Sequence, residues 1–297
     1  MLSVKVFVSL LAMAFSASAQ SSLCGLTYNP KRSDGSCPTL DDIKSDISAL
    51  KDTTSILRIY SLVDCDQGDL ILEAIQGTEM KVNLGMWVGS DDATFQKELD
   101  TLDTLAKKYA LNDNVLSVVV GNDPISDGMQ TPAQIAEKLK KTKDVLEKDG
   151  YGNVSVTAAE KHFNYTPEVM SEVDFVMANG FPFWQGQDAV TSANSLLTSL
   201  DGLTARSNGK MVVVGQTGWP SDGDSIRDAV ADPDSAFAYL QAFVCGARAR
   251  NMDYIYFSGH DEPWKHEARF DPFNVEGSFG ILNADLTPKF ADRTITC

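Results

Sequence analysis

Basic charge is what this 297-residue chain most lacks: 25 Lys and Arg stand against 41 Asp and Glu, a formal net charge of −16. A surface of that sign argues against nucleic acid and anionic membranes as partners, and it suits a neutral ligand. Histidine is scarce as well. His162, His260 and His266 are scattered, and no Cys-x-x-Cys or Cys/His spacing offers a zinc site, so no metal or cofactor is expected. Past residue 20 no apolar run is long enough to span a bilayer, and the C-terminus lacks the hydrophobic tail of a lipid-anchored precursor. Linkers, low-complexity tracts and charge blocks that would divide the chain are missing too. A single domain is expected, and a monomer, since no heptad pattern or apolar interface stands out.

The N-terminus has the features of a secretory signal. Lys5 precedes the apolar run Val6 to Phe15, and Ala17-Ser18-Ala19 offers a small-residue cleavage site. Residues 1–19 are therefore set apart, and 20–297 form the mature domain. Its five cysteines (Cys24, Cys37, Cys65, Cys245, Cys297) fit an oxidising, extracellular or cell-wall setting, with two bridges and one free thiol, or an intermolecular pair. Asn153-Val154-Ser155 and Asn164-Tyr165-Thr166 are glycosylation sequons.

Eight short apolar segments alternate with amphipathic stretches. The strands are expected at Cys24–Tyr28, Ile56–Ser61, Lys81–Val88, Val115–Asp123, Asn153–Glu160, Asp174–Phe183, Met211–Gln216 and Tyr254–Gly259. Their Val-, Ile-, Tyr- and Phe-rich runs are nearly unbroken, as in strands buried on both faces. Helical periodicity covers Thr39 to Leu50, Ala93 to Tyr109, Thr131 to Lys148 and Asp234 to Arg250. Thr39, Thr131-Pro132 and Asp232-Pro233 are helix openings. Eight β-then-α units predict an α/β fold, a single (β/α)8 TIM barrel.

Function in such a barrel sits at the C-terminal ends of the strands. Those ends carry Arg58-Ile59-Tyr60, Trp87, Gly121-Asn122-Asp123, Glu160, Asn179 through Trp184, Gly215 through Pro220, and His260 through Lys265. Carboxylates, amides and aromatic rings together suit a sugar polymer, whose ring faces stack and whose hydroxyls hydrogen-bond. The same map places Cys37 and Cys65 on this face. It places Cys24 and Cys297 near the opposite face or the seam, so Cys37–Cys65 and Cys24–Cys297 are the expected bridges, with Cys245 free. Other pairings stay open to five cysteines.

Several segments in combination carry a family resemblance. They are Leu57-Arg58-Ile59-Tyr60 with Asp64-Cys65-Asp66-Gln67, Val120-Gly121-Asn122, Asn179 through Trp184, Gly218-Trp219-Pro220-Ser221, Asp261-Glu262-Pro263-Trp264-Lys265, and Val275-Glu276-Gly277 with Phe279-Gly280-Ile281. Along nearly the whole mature chain the protein resembles glycoside hydrolase family 17, the β-1,3-glucanases and glucanosyltransferases. The resemblance implies a (β/α)8 barrel and a retaining mechanism with two glutamates. One follows Gly-Asn at the end of strand four as acid/base. The other precedes Thr-Gly-Trp-Pro at the end of strand seven as nucleophile. It further implies that Asn122 bonds the sugar 2-hydroxyl, that Tyr60, Phe183, Trp184 and Trp219 wall the subsites, and that Asn179, Glu262, Lys265 and Glu276 line the site.

Both glutamate positions depart from the pattern: they hold Asp123 and Gln216. Retaining hydrolysis needs a carboxylate that attacks the anomeric carbon, and an amide is a poor substitute. The sequence therefore predicts a secreted β-1,3-glucan-binding protein with hydrolysis lost or strongly impaired. The alternatives are an active hydrolase or transglycosylase that uses the surviving carboxylates, and a secreted decoy or interaction protein that meets a host or wall protein.

Overall fold

In a computed structural model of the chain, residues 23–266 and 271–297 are described. The signal segment expected over residues 1–19 lies outside them. Eight parallel strands close into one barrel in sequence order. They are β1 (Leu26–Thr27), β2 (Ile56–Arg58), β3 (Lys81–Met86), β4 (Val115–Asn122), β5 (Ser155–Lys161), β6 (Val176–Asn179), β7 (Val212–Thr217) and β8 (Tyr254–Tyr256). Around them run α1 (Leu40–Leu50), α2 (Gln67–Ile75), α3 (Asp92–Lys108), α4 (Leu111–Asn114), α5 (Pro132–Lys148), α6 (Pro167–Glu172), α7 (Ala189–Ala205) and α8 (Pro233–Ala249). No helix among the described residues is long and apolar enough to cross a membrane.

Local chemistry starts these helices, three of them at the expected openings Thr39, Thr131 and Asp232, and two at caps not expected, Asp91 and Asp188. Thr39 and Thr131 each close a capping box, with Asp42 and Gln134 respectively, and Asp91, Asp188 and Asp232 each accept from a first-turn amide. The apolar faces then pack on the strands. Leu102, Leu105, Ile135, Leu139, Leu197, Leu200, Phe243 and Val244 are all buried against a core that includes Leu57, Leu84, Val118, Val156 and Val214. Gly246 lets α8 close on α7, because a Cβ there would come within 2.3 Å of Leu197.

One expected disulfide is corrected. Cys37 joins Cys65 as predicted, but the second bridge is Cys245–Cys297 and the free thiol is Cys24. The C-terminal segment explains the change. Phe290 packs on Phe237, and Arg293 pairs with Asp234 and stacks on Phe237, so the chain end runs along α8 to Cys245. Cys24 lies at the other end of β1, 3.7 Å from an Asp253 carboxylate oxygen, where burial pushes its thiol pKa up. Non-reducing peptide mapping is expected to find Cys245 linked to Cys297 and Cys24 alkylated. Cys245→Ala should cost about 2–5 kcal/mol by opening the larger of the two loops.

Candidate active site

The site is made by irregularities at the C-terminal ends of three strands. The ladder slips between Val119 and Asn122 on β4, before Asn179 on β6, and between Val214 and Thr217 on the β7–β8 side. Such bulges re-aim side chains at a barrel rim. On β4 the bulge brings two left-handed residues, Gly121 at φ +79° and Asp123 at φ +59°. A Cβ on Gly121 would also meet Pro124 at 2.7 Å, so glycine is required there.

A buried polar cluster lies beneath the rim. Arg58 donates to the Gly215 carbonyl (3.0 Å) and to Asn122 Oδ1 (2.9 Å), and Asn179 Nδ2 donates to the same oxygen (3.1 Å). With its carbonyl doubly occupied, Asn122 is left with its amide NH2 as the free group, a donor for a ligand. Tyr60 Oη donates to Gln216 Oε1 at 2.6 Å. Burial raises the Tyr60 pKa, so the phenol keeps its proton and its donor role. The Gln216 oxygen is thereby engaged, and its Nε2 is the face left to the cleft.

Asp123 is half-buried. Burial pushes its carboxyl pKa up, while the Asn179 amide and the charges of Lys161 and Arg58 oppose the rise. One of its oxygens, Oδ1, is buried without a partner. On the other flank Glu262 and Lys265 form a buried ion pair at 2.6 Å, and Lys265 sits over the Phe257 ring. Burial raises the Glu276 carboxyl as well, with Lys265 opposing and Asp271 and Glu262 adding to the rise.

These groups meet a cleft of about 780 Å³. Tyr60, Asn122, Trp184, Gln216, Lys265 and Glu276 line it. Trp87 lines it as well; it and Trp184 are 40% and 41% exposed. Asp123, Asn179 and Glu262 stand one layer behind, attached to lining residues by chain or by hydrogen bond. Two expected subsite walls are corrected. Phe183 and Trp219 are 0% and 1% exposed and do not line the cleft. The Trp219 indole stacks on Tyr239 and donates to the Val230 carbonyl (2.8 Å), and Phe183 wedges edge-on between Trp219 and Trp184. Phe183 backs Trp184 directly, and Trp219 backs Phe183. Aromatic type alone does not separate a wall from its support.

One lining residue escapes a strand-end reading, and one residue expected at the rim lies elsewhere. Glu98 reaches the cleft from α3, and its carboxylate accepts from Ser61 Oγ and, at 2.7 Å, from the Leu62 amide. Its signal was an acidic residue in the apolar stripe of Phe95, Leu99 and Leu102. Glu160, expected on the rim, is fully buried away from the cleft and accepts from the Ile125 amide (2.6 Å) and from Ser126. It fixes the loop that follows Asp123. Among the described residues no cluster of three or more His, Cys, Asp or Glu is placed to hold a metal ion.

The model of the BtgE/BtgC glycoside hydrolase domain matches residues 25–280. The chain is 30% identical over 279 residues to a glucan 1,3-beta-glucosidase of Arthroderma benhamiae, covering 90% of this chain and 89% of the relative. It is 26% identical over 298 residues to a glucan 1,3-beta-glucosidase of Saccharomyces cerevisiae, covering 94% of each. Among solved structures, an active-site mutant of Rhizomucor miehei beta-1,3-glucanosyltransferase in complex with laminaritriose aligns with a TM-score of 0.84 at 31% identity, over 94% of this chain and 99% of that one. With fold, cleft and sequence in agreement, the chain belongs to the BtgE/BtgC glycoside hydrolases, a family-17-type barrel.

Proposed function

We propose that this protein binds β-1,3-glucan in its barrel cleft, outside the cell or in the cell wall, and hydrolyses it poorly or not at all. The observation that carries the reading is Gln216, whose amide oxygen accepts from Tyr60 Oη at the position where the family resemblance asks for a nucleophile. An amide has no charge with which to stabilise an oxocarbenium-like transition state, and its oxygen attacks carbon weakly. Glutamine is nearly isosteric with glutamate, so ground-state binding survives the exchange. Asp123 keeps a carboxyl, but one methylene short, drawn back by about 1.5 Å.

The ligand class is supported by the relatives, which act on 1,3-β-glucan by name, and by the laminaritriose in the Rhizomucor complex. The cleft has what such a chain needs: exposed indoles for ring faces, and the Asn122 amide and Glu276 for hydroxyls. Calorimetric titration with a laminari-oligosaccharide is expected to show saturable binding to the unmodified protein. Trp184→Ala should weaken that binding roughly tenfold or more, as the loss of an aromatic anchor that a ligand covers does. Absence of binding in the unmodified, folded protein would end this reading and favour an interaction protein whose cleft is idle.

A further inference from the structure

The C-terminal segment contributes no residue to the cleft lining, yet it sends one cation into the loops that build a whole side of the cleft. Lys289 Nζ donates to Asp261 Oδ1 (2.6 Å), to Ser221 Oγ (2.7 Å) and to the Ser278 carbonyl (3.4 Å). Both charged side chains are largely covered, at 8% and 18% exposed. Burial draws the lysine pKa down, and the Asp261 carboxylate holds it up. We infer that Lys289 is a positioning residue, a three-way clamp that sets the β7–β8 side of the cleft from outside it.

Each partner belongs to a different loop. Ser221 follows the Gly218-Trp219-Pro220 turn after β7. Asp261 follows β8 and directly precedes the Glu262–Lys265 pair. Ser278 lies between the lining residues Glu276 and Phe279. The stretch after β8 and the 277–282 stretch exchange backbone bonds at Ser258, Gly259, Asp261 and Glu262, whereas the turn after β7 is tied to them at one point, Ser221 N and Oγ on the Ser278 carbonyl, where the ammonium also sits. Asp261 Oδ1 also accepts from Gly280 N at 2.9 Å, which makes the clamped carboxylate itself a backbone tie. Without the ammonium that largely covered carboxylate is left with no counter-charge, a state that drives local rearrangement. The lysine is held from behind by its own amide on the Ile281 carbonyl and by the Phe290, Arg293 and Cys297 attachments to α8.

The affinity arm of the test rests on the glucan-binding reading; the exchange arm does not. Lys289→Met is compared with the unmodified protein by hydrogen exchange and by laminari-oligosaccharide titration. Amides at 258–262 and 275–282 are expected to exchange roughly tenfold faster or more, with the β3–β5 half unchanged, and oligosaccharide affinity to fall by about tenfold. If Lys289→Met does not fold, the double variant Asp261→Asn/Lys289→Met removes the orphaned charge and is expected to show the same faster exchange. Unchanged rim protection in either folded variant overturns the clamp, and so does faster exchange with undiminished affinity. If the unmodified protein binds no oligosaccharide, the function reading fails, and exchange alone decides the clamp.

Discussion

Changing Asp123→Glu and Gln216→Glu together is expected to raise turnover of linear β-1,3-glucan by roughly 10³-fold or more over the unmodified protein. The cleft is already arranged for the restored groups. Tyr60 Oη, which donates to Gln216 Oε1 at 2.6 Å, would donate equally well to a carboxylate oxygen in the same place. Asn122 is oriented by Arg58 and Asn179, independently of either substitution. Gln216→Glu alone should recover the larger share, because no other group supplies the attacking carboxylate. Asp123→Glu alone should recover little. It returns a carboxyl misplaced by about 1.5 Å to its reach, and a 1 Å error is worth on the order of 10²-fold, but only where a nucleophile is present. The two gains should not multiply, since both groups serve one mechanism. Reducing-sugar release by the two single variants and the double variant checks this.

Lys265→Met is expected to lower stability by about 3–5 kcal/mol. Glu262 is 3% exposed, and its Oε2 is 2.6 Å from the ammonium, while its Oε1 is buried without a partner. Removing the cation strands a buried carboxylate. Glu262→Gln/Lys265→Met removes the whole pair and should cost clearly less than the single change, because the desolvation of both charges is relieved together. Urea midpoints of the two variants decide it. A double variant no more stable than Lys265→Met would mean that the pair does not govern this flank of the cleft.

The barrel was legible because its strands are doubly buried and its main helices begin at strong caps. Strand ends were read too long on β2, β6 and β8, where the chain leaves the ladder to form the rim and stays apolar as it does so. Three helices carried weak signals. In α7, Ser192 and Ala193 are buried among the leucines, which blurs the polar face. The start of α2 has a left-handed Asp66 and no capping side chain. The third, α6, is too short to show a period. In the site, Asp123 and Gln216 were picked out by their flanking motifs, and both stand at the rim, Gln216 in the cleft lining and Asp123 next to the lining residue Asn122. What the motifs did not carry was depth. Trp219 and Trp184 are both rim tryptophans in sequence, and only packing against Tyr239 and Phe183 separates core from cleft. The Cys245–Cys297 bridge was missed for a similar reason, since it depends on the path of a chain end without regular structure.

The most direct test puts binding and turnover in one sample. The unmodified protein is titrated with a linear laminari-oligosaccharide, and product is followed in the same solution beside the Asp123→Glu/Gln216→Glu variant. Saturable binding by both proteins, with product formed only by the variant, is the predicted result. Turnover by the unmodified protein at a rate like that of the variant would contradict the account and assign the chemistry to other carboxylates of the cleft.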